Sequence, residues 1–302
     1  LAEIAERWYM ATRINRTIEL LAEDQPVYYT GEHAGHVLTY AQGKEDAATW
    51  ADYFNVGMEH GAFDMAGLDE YLRGLVDGGP TRSGHRTPTV IVEAPVEAVS
   101  EEIVRFNAWQ FRQLLARGVH GILLCQAESA AAVRAFVESC RYPVNEIGVG
   151  ESLQQGSRGV GSESVCAKVW GVDRDEYLAK ADPWPLNPQG ELLLGLKIES
   201  PAALPHIEEI LAVPGIGFAE MGPGDLSLSL GYRKIPQPWP ALIQETHERI
   251  KATCLQNGVA FLHSSTPETV ADNIDAGARV IAGRREETAV VGRAHSGRRM
   301  PA

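Results

Sequence analysis

Lys197 and Glu199 stand two positions apart in "LLLGLKIES" (192–200), an otherwise apolar run that stops at a Ser-Pro break. The side-chain period of a strand puts both on one face, so the pair is either a buried ion pair or part of a reactive site. Asp225 follows in "GPGD" (222–225), where small residues let the backbone turn tightly and approach a ligand. Glu199 and Asp225 together make a minimal site for a hard divalent cation. Mg²⁺ or Mn²⁺ takes one or two protein carboxylates and completes its octahedron with water and substrate oxygens. The ordinary alternatives are an ion pair for Glu199 and helix N-capping by Asp225. In "MEHGAFD" (58–64) His60 offers an imidazole suited to general-base work, against the plain alternative of a satisfied strand-end histidine. Glu59 can orient that ring only if the chain turns there, because adjacent strand residues point to opposite faces.

These residues need elements to bring them together. Short β-branched or aromatic runs occur at 26–31, 52–58, 88–95, 120–127, 192–200, 216–222, 259–265 and 278–283, and helix-period stretches separate them. Ser100 and Ser129 are expected N-caps. Alternating strands and helices imply parallel pairing with right-handed crossovers. Eight such units predict a single-domain α/β protein, a (β/α)8 TIM barrel over 1–302, with an open doubly wound sheet as the alternative. Three additions are expected: an N-terminal amphipathic helix within 1–25, a long ordered loop at 141–191 crossing the barrel mouth after the fourth strand, and a C-terminal helix and tail over 284–302. In a parallel barrel the reactive groups gather at the carboxyl ends of the strands. Those positions read Glu32, His33 and His36; Glu59 and His60; Glu93; Cys125 and Gln126; Glu199; Asp225; His263; and Arg284. So many ionisable groups at one rim call for a metal, a substrate or both.

Composition narrows the partners. A formal charge of −13, from 27 basic and 40 acidic residues, argues against nucleic acid or an anionic membrane. The basic "GRAHSGRR" near the carboxyl end reads as a solvated tail. Four widely spaced cysteines match no C-x-x-C pattern, which fits free thiols in a reducing cytoplasm. No run approaches the roughly 18 apolar residues of a membrane span, and the amino end lacks the apolar core of a signal peptide.

Taken in order, "VGMEHGAFDMAGLDEYL", "RYP", "RGVG", "LKIESPAALPHIEEILAVPGIGFAEMGPGDLSLSLG" and "GARVIAG" resemble the HpcH/HpaI family of metal-dependent, pyruvate-utilising aldolases, from about Asn15 to the carboxyl end. The resemblance implies a (β/α)8 barrel in which Glu199 and Asp225 hold Mg²⁺ or Mn²⁺, with Co²⁺ or Zn²⁺ as in vitro substitutes. It implies that the ion stabilises the enolate of a 2-oxo acid and that His60 takes part in proton transfer. Gly222, Pro223 and Gly224, with Gln126 and Glu93, are the expected substrate contacts. Trimers or hexamers formed through exchanged C-terminal helices are a further implication, as is a small-molecule substrate with no nucleic acid or membrane partner.

Departures from the family pattern bear on the reaction. The arginine that usually precedes the proline of the third strand is Ala94, with Glu93 beside it. Gly57 stands where an aspartate is common, and Lys197 where a glutamine is common. Lys197 has three readings: a replacement for the lost cation, a structural partner of Glu93, or a Schiff-base amine. Arg158 in "RGVG", then Arg82 and Arg86, are other sources of positive charge, with solvated loop arginines as the alternative. Four functions stay open on these residues: a metal-dependent carbon–carbon lyase, an oxaloacetate-type decarboxylase, a small-acid-binding barrel without turnover, and a Schiff-base aldolase.

Overall fold

A computed structural model describes residues 10–283 and 285–302. Arg284 and the first part of the expected amino-terminal helix lie outside the described residues. The strands are β1 Val27–Glu32, β2 Tyr53–Gly57, β3 Thr89–Glu97, β4 Gly121–Cys125, β5 Pro183–Trp184, β6 Leu192–Ile198, β7 Phe218–Met221, β8 Ala260–Ser264 and β9 Ala278–Ala282. All pair in parallel, in the order β4-β3-β2-β1-β9-β8-β7-β6, and a β4–β6 pairing closes the ring. The eight expected runs are therefore the eight staves of a closed barrel, and the doubly wound alternative falls away. Two-residue β5 is an addition that pairs with the start of β6.

The helices form where their caps allow. Ser100 accepts from the Ile103 N–H and Ser129 from the Ala132 N–H, opening the helices Glu101–Leu115 and Ala130–Cys140. The helix Ala241–Asn257 ends at Gly258, whose φ of 68° suits the left-handed cap that glycine adopts without a Cβ penalty.

Alternation along each stave divides the core in two. Outward residues such as Val90, Val92, Leu194, Leu196 and Ile198 pack under the helices in the large cluster. Inward ones, among them Val27, Tyr53, Ile91, Leu123, Leu193, Phe218, Leu262 and Val280, fill the barrel interior. Ile18 and Leu20, fully buried on the helix Arg16–Ala22, join that inner cluster, so this helix closes the amino end of the barrel. Its N-cap Asn15 also donates through Nδ2 to the carbonyls of His120 and Glu191, fixing the plug to β4 and β6.

The inner face changes character along the staves. Two residues beyond the apolar layer, Tyr53 gives way to Asn55, Ile91 to Glu93, Leu123 to Cys125 and Phe218 to Glu220, while Lys197 lies beyond Leu193 and Gly195. Gly195 is required here, because a Cβ would sit 2.2 Å from the Phe218 ring. The barrel is an apolar plug below and a polar tier above.

The 141–191 segment differs from expectation in its location. It contains the helices Glu163–Trp170 and Arg174–Lys180 and is ordered. Its anchors, however, lie beside the amino ends of the staves: Trp170 Nε1 donates to the Gly118 carbonyl at 2.9 Å and its ring stacks on His120. The helix Ala130–Cys140 has already carried the chain back to that end, so the excursion braces the barrel floor instead of crossing the mouth. The buried Arg141–Asp182 pair, Nε to Oδ1 at 2.6 Å, holds it. At the carboxyl end, Arg293 of the helix Glu286–His295 and Arg298 of the tail after it both pair with buried Asp52. Among the described residues no helix is long and apolar enough to cross a membrane.

Candidate active site

Lys197 points into the polar tier, as its spacing from Leu193 requires, but it does not pair with Glu199. Its ammonium lies 2.9 Å from Glu59 Oε2 and in direct contact with Glu93. Glu93 is fully buried and its oxygens are also engaged by His33 Nδ1 at 2.9 Å and Asn55 Nδ2 at 3.3 Å. Of the three readings of Lys197, the pairing with Glu93 is what the side chains make. The register also puts the two third-strand residues on opposite faces. Ala94 faces outward into the helix-side core, and Glu93 is the residue facing the interior.

Glu199 follows β6 and is 1% exposed. It accepts the Gln126 N–H at 3.0 Å, a donor aimed by an unusual backbone: Gln126 has φ of 53°, a left-handed conformation that few side-chain-bearing residues adopt. Burial pushes the Glu199 carboxyl up to about 8, against the pull of Lys197 and the Gln126 N–H, while Glu220 and Glu59 add to the rise. Gly222 lies directly on this carboxylate, and a Cβ there would meet Glu199 Oε2 at 2.0 Å. Pro223 and Gly224 then open the helix Pro223–Ser229, with half-buried Asp225 in its first turn. The cap position is Gly222, so Asp225 is not an N-cap.

The chain bends just after β2, which is the turn that Glu59 and His60 need in order to meet. His60 Nε2 lies 3.5 Å from Glu59 Oε2, with the ring about half exposed at the mouth. Burial opposes ionisation of Glu59, but the adjacent Lys197 ammonium outweighs it and holds the carboxyl below its ordinary range. Burial, reinforced by Glu59 and Glu199, pushes the Cys125 thiol well up. Glu220, the register partner of Lys197 on β7, is raised mainly by burial, and its Oε1 has no hydrogen-bond partner among the described residues. Glu220 is hidden in the sequence, because it sits in "IGFAEMG" and looks like one polar interruption of an apolar stave. Its spacing of two from inward Phe218 was the available signal.

Four carboxyl groups, Glu59, Glu93, Glu199 and Glu220, thus share the tier with one ammonium. Unbalanced carboxylates in a low-dielectric interior favour a bound cation or retained protons. Among the described residues, the group of three or more metal-binding side chains whose ligand atoms converge, within 4.8 Å of one another, is Glu59, Cys125 and Glu199. Asp225 is outside that group. A cation fits this donor set by charge and by the state of Glu199, a buried carboxyl group with no ion pair among the described residues.

Other expected residues lie elsewhere. Arg158 is not at the mouth: it is 3% exposed, donates to the Leu115 carbonyl and to the Tyr177 hydroxyl at 2.6 Å, and covers the Tyr142 ring. Those partners belong to the outer helices and the excursion, so Arg158 serves packing there. Arg86 donates to the Lys168 carbonyl, also at the floor. His36 is tied to Asp46 at 2.9 Å, and His263 to the Ser264 carbonyl. Beside the tier, a cleft of about 640 Å³ between the ends of β1, β8 and β9 is lined by His33, Ser264, Ser265, Thr266 and Arg285 among others.

Comparison with known proteins agrees with this architecture. The hydroxypyruvate/pyruvate aldolase of Cupriavidus necator is 30% identical over 212 residues, covering 69% of this chain and 71% of that one. A HpcH/HpaI aldolase/citrate lyase family protein from Burkholderia cenocepacia superposes with a TM-score of 0.68 at 22% identity, over 94% and 97% of the two chains. The citrate lyase β subunit of M. tuberculosis, solved with oxaloacetate and magnesium, superposes with a TM-score of 0.52 at 13% identity, over 92% and 99%. The family model for HpcH/HpaI aldolase/citrate lyase matches residues 89–284, from β3 to just past β9. With that match on a closed barrel whose reactive groups crowd one rim, the chain belongs to the HpcH/HpaI aldolase/citrate lyase family and is a carbon–carbon lyase.

Proposed function

We propose that this enzyme makes or breaks a carbon–carbon bond beside the oxo group of a 2-oxo acid of the pyruvate type, with Glu199 and Asp225 holding a divalent ion. The observation that carries the reading is the polar tier, in which buried Glu93, Glu199 and Glu220 and partly buried Glu59 share one ammonium. Two carboxylates alone would suit Mg²⁺ or Mn²⁺. When bound, such an ion acts as a Lewis acid toward negative charge on an oxygen.

The protein's own groups do the rest. His60, exposed at the mouth and oriented by Glu59, exchanges a proton with the hydroxyl of the cleaved or formed bond. Lys197, clasped by Glu59 and Glu93, keeps those carboxylates in place, and its engagement with both argues against an imine route. Gly222, Pro223 and Gly224 bring backbone close to the substrate acid, and Gln126 fixes Glu199. Cytoplasmic location and assembly into trimers or hexamers fit this reading.

The test is turnover of pyruvate with a panel of aldehydes, and of oxaloacetate, in metal-free protein with and without Mn²⁺. Metal-dependent aldol turnover that falls about 100-fold or more in Glu199→Gln is the expected result. Turnover of oxaloacetate alone would make the enzyme a decarboxylase.

A further inference from the structure

Cys125 is the one cysteine that faces the barrel interior, whereas Cys140, Cys166 and Cys254 are buried in the helix-side core. It ends β4 two residues beyond inward Leu123, which sets its thiol among the carboxyl groups of the polar tier. Its sulfur lies 3.9 Å from Glu93 Oε1, and it converges with oxygens of Glu59 and Glu199 to within 4.8 Å. Glu59 meets Lys197 and His60 through Oε2 and is also hydrogen-bonded to the Cys125 thiol, so the sulfur already lies against this carboxylate. Glu199 accepts the Gln126 N–H through Oε1, which leaves Oε2 available.

We infer that Cys125 is a metal ligand alongside Glu59 and Glu199, so that this chain takes an ion that accepts sulfur, Zn²⁺ or Co²⁺, in preference to Mg²⁺. The inference rests on the reading that Glu199 holds an ion, and it changes which ion that is. Hard Mg²⁺ selects oxygen donors, whereas Zn²⁺ and Co²⁺ accept mixed thiolate and carboxylate sets. Bond lengths of about 2.0 Å to oxygen and 2.3 Å to sulfur place tetrahedral ligands roughly 3.5 Å apart. The three side chains therefore close by about an ångström, which small side-chain rotations supply. Binding replaces the thiol hydrogen, which leaves as a proton. Two carboxylates and a thiolate then face a doubly charged ion, and Lys197 offsets the remaining negative charge.

The experiment is titration of metal-free protein with CoCl₂, followed by near-ultraviolet absorption, with Zn²⁺ and Mg²⁺ affinities from competition. A sulfur-to-cobalt charge-transfer band at one ion per chain is expected. Cys125→Ser and Cys125→Ala, with folding verified by circular dichroism, should lose the band. They should also bind Zn²⁺ more weakly by more than the roughly 10–100-fold typical of losing an outer-shell partner, with Mg²⁺ affinity unchanged. Cobalt bound to the wild type without the band overturns the inference while the ion site itself stands. So does a band that survives in both variants. If the wild type takes up no cobalt, zinc or manganese at all, the reading of Glu199 as an ion-holding residue fails with it.

Discussion

Lys197 is best understood through what its loss would leave behind. Removing one member of a buried ion cluster costs roughly 3–5 kcal/mol, because the remaining charges stay buried without compensation. Lys197→Met should therefore lower the unfolding free energy by about that much, read by chemical denaturation of metal-free protein. Adding Glu93→Gln should return part of the loss, since residues in contact are not additive. Additive losses would mean that the two side chains do not share one network. Gly222 gives a second prediction at this scale. Gly222→Ala puts a methyl where Glu199 Oε2 now lies, 2.0 Å from the new carbon, so the carboxylate must move. Misplacement of about 1 Å can cost of order 100-fold in rate. The variant should keep its melting temperature and lose kcat/KM on that scale, whereas an equal drop in stability would point to a folding defect.

The elements show which parts of a sequence speak for themselves. All eight staves were legible, because a buried parallel strand needs a continuous apolar run and each run was bounded by loop residues. The ion-holding candidates Glu199 and Asp225 were legible by type. The meeting of Glu59 with Cys125 and Glu199 was not, since three staves must close into a ring before those ends converge. Glu93 was weighed as a neighbour of the substituted position, yet counting by twos from Ile91 would have shown that it, and not Ala94, faces inward. The 141–191 excursion was misplaced for a topological reason: a segment that follows a barrel helix starts at the amino rim, whatever its composition. Its placement is testable through Arg141, whose guanidinium forms a fully buried pair with Asp182. Arg141→Leu strands that carboxylate and should cost roughly 3–5 kcal/mol of stability. Because the excursion braces the floor and not the mouth, KM and kcat below the melting transition should not change. A raised KM would return the segment to the active site.

At the scale of the whole molecule, two buried carboxyl groups at opposite ends of the barrel give the metal-free protein opposite pH slopes. Asp52 at the floor is desolvated, yet Arg298, Arg16 and Arg293 outweigh that and hold it well below its ordinary range. A depressed carboxyl contributes stability above its unfolded pKa of about 3.9, and that stability is lost as pH falls below it. Glu199 has the reverse sign, with a folded value of about 8 against an ordinary 4.5. Between those values the unfolded chain releases the proton that the folded one retains, so stability falls as pH rises through that window. The melting temperature of metal-free protein should therefore peak near pH 5, dropping on the acid side through Asp52 and on the alkaline side through Glu199. Glu199→Gln should flatten only the alkaline side. Saturating divalent ion should flatten it too, because a ligand bound only to the folded state adds stability that grows as the carboxylate ionises. An alkaline slope that persists in Glu199→Gln would assign it to another buried group, with Glu220 the next to replace.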